Sequence, residues 1–166
     1  MRLPSLLFGL TVLMGCAASP GGPVIHSVTK APRSIAQAVT APLPVVVLGR
    51  PPDGAAPDAV AQALRLPQRL GGGGAVAVPA GTGGLRLVIS FSAAGLNSLC
   101  SADAASEIRA AALTLSAGLC RDEAGLAFGI LSAEGIAGPS DPAFASAMST
   151  LLREILVPRQ QSNRPG

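Results

Sequence analysis

The strongest constraint on the fold lies near the C-terminus. Between Pro142 and Leu156 the large apolar residues are Phe144, Met148, Leu151, Leu152, Ile155 and Leu156. They recur at the helical spacings i, i+4, i+7, i+8, i+11 and i+12, which places them on one stripe of a helix of about 15 residues. Ser140 or Asp141 can cap its start, Pro142 fits its first turn, and Pro158 stops it. A stripe this wide has to be buried against another layer of structure.

The rest of the body supplies that layer as a sheet. Leu85, Leu87, Ile89 and Phe91 alternate with Arg86, Ser90 and Ser92, the period of a strand. From Ile108 to Cys120 the alternation returns, with Ala111, Leu113, Leu115, Ala117 and Leu119 on one side. Thr114, Ser116, Gly118 and Cys120 take the other. Arg121 to Gly125 reads as a hairpin loop, after which Leu126, Phe128 and Ile130 are expected to face inward. Val45 to Leu48 is apolar on both sides and suits a strand covered on both faces or an edge laid against a helix. Pro57 and Asp58 open a short helix with Val60, Ala63 and Leu64 on one face. Gly71 to Gly74 lacks the Lys and Ser or Thr of a phosphate loop and reads as a connector. Ala75 to Val78 is a short strand, and Gly81 to Gly84 reads as a hairpin turn. The expected class is α+β: a mixed, mostly antiparallel four- to five-stranded sheet with two helices packed on one face, over residues 42–158. One-sided alternation leaves the other sheet face for water or a partner.

The chain begins with one charge, Arg2, and an apolar stretch from Leu3 to Met14. That stretch is too short to span a bilayer, which takes roughly 20 apolar residues, and has the layout of a secretory signal. It ends in Leu13-Met14-Gly15-Cys16, which resembles the lipobox of bacterial lipoproteins. The resemblance implies cleavage after residue 15 and acylation of Cys16, which becomes the first mature residue and the membrane contact. Several acyl chains on one Cys hold firmly, whereas a single chain binds reversibly. In the enteric lipoproteins an Asp beside the Cys retains the protein in the inner membrane. Here Ala17 follows, so the outer membrane is expected, with the protein facing the periplasm. Residues 16–41 are expected to be the anchored Cys and a flexible tether, rich in Pro, Gly and Ser in its first part and holding His26 without a role. Residues 159–166 read as a disordered polar tail.

Charge and residue types narrow the function. Twelve Lys and Arg face nine Asp and Glu, with no basic block, and Trp and Tyr are absent. That argues against a nucleic-acid partner, which needs a dense cationic footprint and stacking platforms. With one histidine, His26, neither a His-centred metal site nor a Ser-His-Asp triad is expected. Ser90, Ser92 and Ser140 lack the nucleophile-elbow pattern. Arg121-Asp122-Glu123 is the densest charge cluster, and adjacent residues at a hairpin tip point apart into solvent. Neither an enzyme nor a cofactor is expected.

Cys100 and Cys120 are the thiols left once Cys16 is acylated. In an oxidising compartment an even pair reads as a disulfide, with two buried free thiols as the alternative. A straight strand from Ile108 to Leu119 would carry its ends far apart, so the pairing requires Cys100 to run back along the sheet.

The element order behind a lipid anchor is similar to that of envelope-assembly lipoproteins: the lipopolysaccharide-assembly lipoprotein, activators of cell-wall synthases, and auxiliary lipoproteins of lipid transporters. Cys120-Arg121-Asp122 followed by Gly138-Pro139-Ser140-Asp141-Pro142-Ala143-Phe144 also resembles a group of uncharacterised proteobacterial lipoproteins. The second group implies no known activity. The expected function is a non-catalytic accessory module that presents a sheet face or edge to an envelope protein in assembly or transport. The alternative is a periplasmic carrier or sensor of a small apolar ligand. A pocket between Phe91, Phe128 and Phe144 would favour the carrier, and a closed core with an open strand edge would favour the binding module.

Overall fold

A computed structural model describes residues 22–70, 72–92, 96–101 and 113–158. The signal segment 1–15, Cys16 and the tail 159–166 lie outside the described residues. The element order starts with β1 (Val24–Thr29), α1 (Arg33–Ala38), β2 (Leu43–Leu48) and α2 (Pro57–Ala63). A 3-10 turn (Gln68–Leu70), β3 (Ala75–Ala77), β4 (Leu85–Ser90) and α3 (Leu96–Cys100) follow. The chain then forms β5 (Leu113–Arg121), β6 (Ala124–Ala133) and α4 (Pro142–Leu156). All six strands join one sheet in the order β1-β6-β5-β4-β2-β3. β2 pairs parallel with β3 and with β4, and the remaining pairs are antiparallel. The α+β class and the mixed sheet stand as expected. The sheet has six strands rather than four or five, and four α-helices lie among the described residues rather than two.

Two of the extra elements fall in the segment expected to be a tether. β1 pairs antiparallel with β6, Val24 opposite Ser132 and Thr29 opposite Phe128, with a register shift near Ser27, whose φ is 55°. The chain then ties to the end of α4: the Ala31 N–H donates to the Ile155 carbonyl, and the Lys30 ammonium donates to the Glu154 carbonyl and carboxylate. These partners are more than a hundred residues away in sequence, so β1 needs no local periodicity to form.

The main core lies between the sheet and α1, α2 and α4. Leu87, Ile89, Leu115, Ala117 and Leu119 from the sheet meet Val60 and Leu64 of α2 and the whole α4 stripe. Asp141 caps α4, its Oδ1 accepting from the Ala143 N–H at 2.8 Å, and Pro142 holds the first turn. β2 reaches β3 through α2 as a parallel crossover.

Three expectations are corrected. The far face of the sheet is not left to water: Val46, Val88, Cys120 and Phe128 form a second cluster there, covered by Leu99 and Cys100 of α3. On β6 the inward residues are Ala127, Gly129 and Leu131, whereas Phe128 and Ile130 belong to the second cluster. Leu126 packs in part on the main core. The cause is the closeness of α4 at Gly129: a Cβ there would meet Leu151 at 2.8 Å and Ile155 at 2.9 Å, so β6 keeps a glycine under α4 and turns Phe128 to the other face. Finally, residues 81–84 do not close a hairpin. β3 and β4 lie on either side of β2 and run parallel, so the segment is a connection with a turn closed by the Thr82 N–H on the Pro79 carbonyl.

Candidate functional site

A disulfide joins Cys100 at the end of α3 to Cys120 near the end of β5, with the Cα atoms 5.7 Å apart. Residues 102–112 lie outside the described residues, so the strand is described from Leu113 onward. The required return of Cys100 along the sheet is made by α3, which lies across the far face. Cys16, the expected lipidation site, lies outside the described residues. Beside the disulfide sits Arg86, 7% exposed. Its Nη2 donates to the Cys100 carbonyl at 3.2 Å and its Nη1 to the Gly84 carbonyl at 3.3 Å. The bond and the guanidinium therefore hold α3 onto β4 and β5 together.

The serines do not assemble a nucleophile site. Ser90 Oγ and Ser92 Oγ lie 2.7 Å apart, and the Ser116 hydroxyl donates to the Ser92 carbonyl at 3.0 Å, all buried. They satisfy one another where the far face needs polar partners. His26 is on β1, and β6 and β5 separate it from Ser90 on β4. Among the described residues no group of three His, Cys, Asp or Glu is placed to hold a metal ion.

The acidic residues act as ties. Asp122, at φ 54° in the tight turn, accepts the Gly84 N–H at 2.8 Å, and its own N–H donates to the Gly84 carbonyl. This locks the β5–β6 turn to the start of β4, while Glu123 is exposed. Asp53 does similar work at the other end of the sheet. Its carboxylate accepts the Ala55 N–H at 3.0 Å and the Ser140 N–H at 3.2 Å. Gly138 permits this contact: its φ is 152°, and a Cβ there would run into the Asp53 carboxylate. The segment Gly138 to Phe144 is thus a structural latch and helix start, with Phe144 fully buried.

Slight burial pushes the Asp53 carboxyl up, but hydrogen bonds from Ala55 and Ser140 outweigh it and hold the group below its ordinary 3.8. A carboxyl lowered by folding contributes stability above its unfolded pKa and loses it as pH falls through the folded value. Asp53→Asn is expected to lower the unfolding free energy read from urea titration at pH 6 modestly, by about 1 kcal/mol or less for an exposed tie. Between pH 6 and pH 3 the wild type should lose more stability than Asp53→Asn. Equal losses in the two proteins would rule the latch out as a titrating element.

What remains unoccupied is the sheet edge. The exposed large hydrophobic residues among the described ones are Val24 at 57%, Val28 at 38% and Val76 at 45%. All three lie on the edge strands, the first two on β1 and the third on β3. β1 is exposed along most of its length, and β3 has only three residues. Sequence reasoning missed the β1 edge because Val24-Ile25-His26-Ser27-Val28-Thr29 does not alternate strictly and follows Pro and Gly. Its β-branched content was the available signal.

Compared with known proteins, no family model, no curated protein and no solved structure matches this chain. Among the described residues no helix is long and apolar enough to cross a membrane.

Proposed function

We propose that this chain is a lipid-anchored, non-catalytic module of the bacterial envelope. Acylated Cys16 holds it on the outer membrane, facing the periplasm, and it binds an envelope protein by strand addition at β1. The observation that carries the binding step is the confinement of exposed large apolar side chains to the edge strands. An open edge offers unpaired backbone donors and acceptors together with side-chain positions that an incoming strand can cover. The disulfide supports an oxidising compartment, and Leu13 to Cys16 supports the anchor. The carrier reading loses its pocket: Phe91 and Phe144 belong to the main core and Phe128 to the cluster on the opposite face, so the three do not converge.

The anchor is tested by the intact mass of protein extracted with detergent from bacterial membranes. The expected mass lacks residues 1–15 and carries acyl chains on Cys16. An unprocessed chain would remove the envelope reading altogether. The edge is tested by a photo-crosslinking residue at His26, with the same group at Arg50, on an exposed loop, as control. One discrete protein adduct from His26 and none from Arg50 is expected. Equal adducts from both positions would reject β1 as the contact.

A further inference from the structure

A second surface is built from residues far apart in sequence. Near the end of α4 two adjoining hollows of about 620 and 700 Å³ share Arg69 and Val157. Arg33 of α1 lines the first, and Arg65 and Arg153 line the second. All four arginines are exposed. Arg33, Arg69 and Arg153 donate to no other described residue, and Arg65 donates only to the Gln62 and Leu64 carbonyls. Among the described residues no carboxylate lines either hollow. The nearby acid, Glu154, is engaged by Lys30 at 3.1 Å. The floor between the charges is apolar, from Val39, Leu66, Leu70 and Val157.

Four cations gathered without counter-charge repel one another, and an anionic occupant relieves that repulsion. The cations are all arginine, whose planar fork matches carboxylates two bonds at a time. The hollows share Arg69 and Val157, so an extended occupant can contact all four arginines where a compact ion cannot. The chain does not supply it from its terminal segments: residues 1–21 and 159–166 contain no Asp or Glu, and Arg159 and Arg164 add positive charge next to Pro158. We infer that this groove binds an extended acidic segment of a partner protein, carboxylates on the arginines and apolar side chains on the floor.

A protein segment is favoured over the anchoring lipid by position. Val24 lies opposite Ser132, beside the start of α4, whereas the groove sits at its last turn. α4 has 15 residues, so the two ends are roughly 20 Å apart. The link from Cys16 to Gly22 reaches at most about 20 Å. The groove therefore lies at the opposite end of α4 from the segment leading to Cys16, so lipid on the anchor is not held against it, a step that alone rests on Cys16 being acylated.

The test uses the full chain in nonionic detergent, so it reads the groove whether or not Cys16 is acylated. The probe is a fluorescein-labelled peptide of Glu-Asp-Leu repeats long enough to span both hollows, followed by anisotropy. Binding is expected to weaken with added salt and to weaken about tenfold or more in Arg69→Glu, as for an arginine at the centre of an interface. Arg50→Glu makes the same charge change on an exposed loop outside the groove and should alter binding less than about twofold. Circular dichroism confirms that both variants fold. The proposal is overturned if wild type does not bind the peptide, or if the two variants weaken it equally. It is also overturned if micelles doped with phosphatidylglycerol displace the peptide in wild type, which would make the occupant a lipid.

Discussion

Leu152→Asp is expected to abolish the cooperative unfolding transition. Leu152 is fully buried among the α4 stripe and the sheet. Truncating such a leucine to alanine costs about 2–5 kcal/mol, from lost burial and the cavity left behind. An aspartate adds a carboxylate with no partner in an apolar layer, several kcal/mol more. Domains of this size have about 5–15 kcal/mol in total, so the sum reaches the whole stability. The damage spreads because α4 also holds the N-terminal elements, through Ala31 on the Ile155 carbonyl and Lys30 on Glu154. Leu152→Ala is the graded comparison, expected to stay folded with a lowered midpoint. Urea titration followed by circular dichroism reads both. A Leu152→Asp protein with a midpoint near that of wild type would mean that α4 is not part of the core.

The helix that makes this prediction was legible from six residues, because its stripe is local and its cap and stop are written beside it. β4 was legible for the same reason: Leu85, Leu87, Ile89 and Phe91 do share the main core. The misreadings have a common physical origin. β6 looks one-sided until α3 is placed on the far face; then Phe128 and Ile130 are as useful there as Ala127 and Gly129 are under α4. β1 is stabilised by β6 and by α4, partners that no window along the chain contains. The arginine groove is the extreme case. Arg33, Arg65, Arg69 and Arg153 come from three regions of the sequence, and only the placing of α1 and the segment 65–70 beside the end of α4 makes them neighbours. A modest net charge conceals them, since a sum over the chain carries no position.

The two surfaces have different physical demands. Strand addition at β1 relies on backbone groups and tolerates many partner sequences. The groove selects by charge and weakens with salt. A partner using both would gain affinity from the second contact without enlarging the first, provided one segment spans the two. β1 ends where the chain turns into Lys30 and α1, and Arg33 of α1 lines the groove. The two sites are therefore adjacent along the chain.

Breaking the Cys100–Cys120 bond is expected to destabilise the domain by about 3 kcal/mol. The bond closes a loop with a sequence separation of 20, and the chain-entropy account gives that magnitude for a loop of this length. The native state also loses order, because α3 is short, with five residues, and cannot hold its place by propensity. Its other ties to the sheet include Leu99 in the second cluster and Arg86 on the Cys100 carbonyl. Once α3 lifts, the buried Arg86 guanidinium loses one of its two carbonyl acceptors, and Val88 and Phe128 meet water. Replacing both cysteines with alanine should lower Tm by about 10 °C for a domain of this size. Reductant should shift the wild type by a similar amount and leave the double variant unmoved. If reductant shifts neither protein, the thiols are not joined in solution, and α3 is held by non-covalent contacts, Leu99 and Arg86 among them. In that case Leu99→Ala should become the more damaging change on the far face.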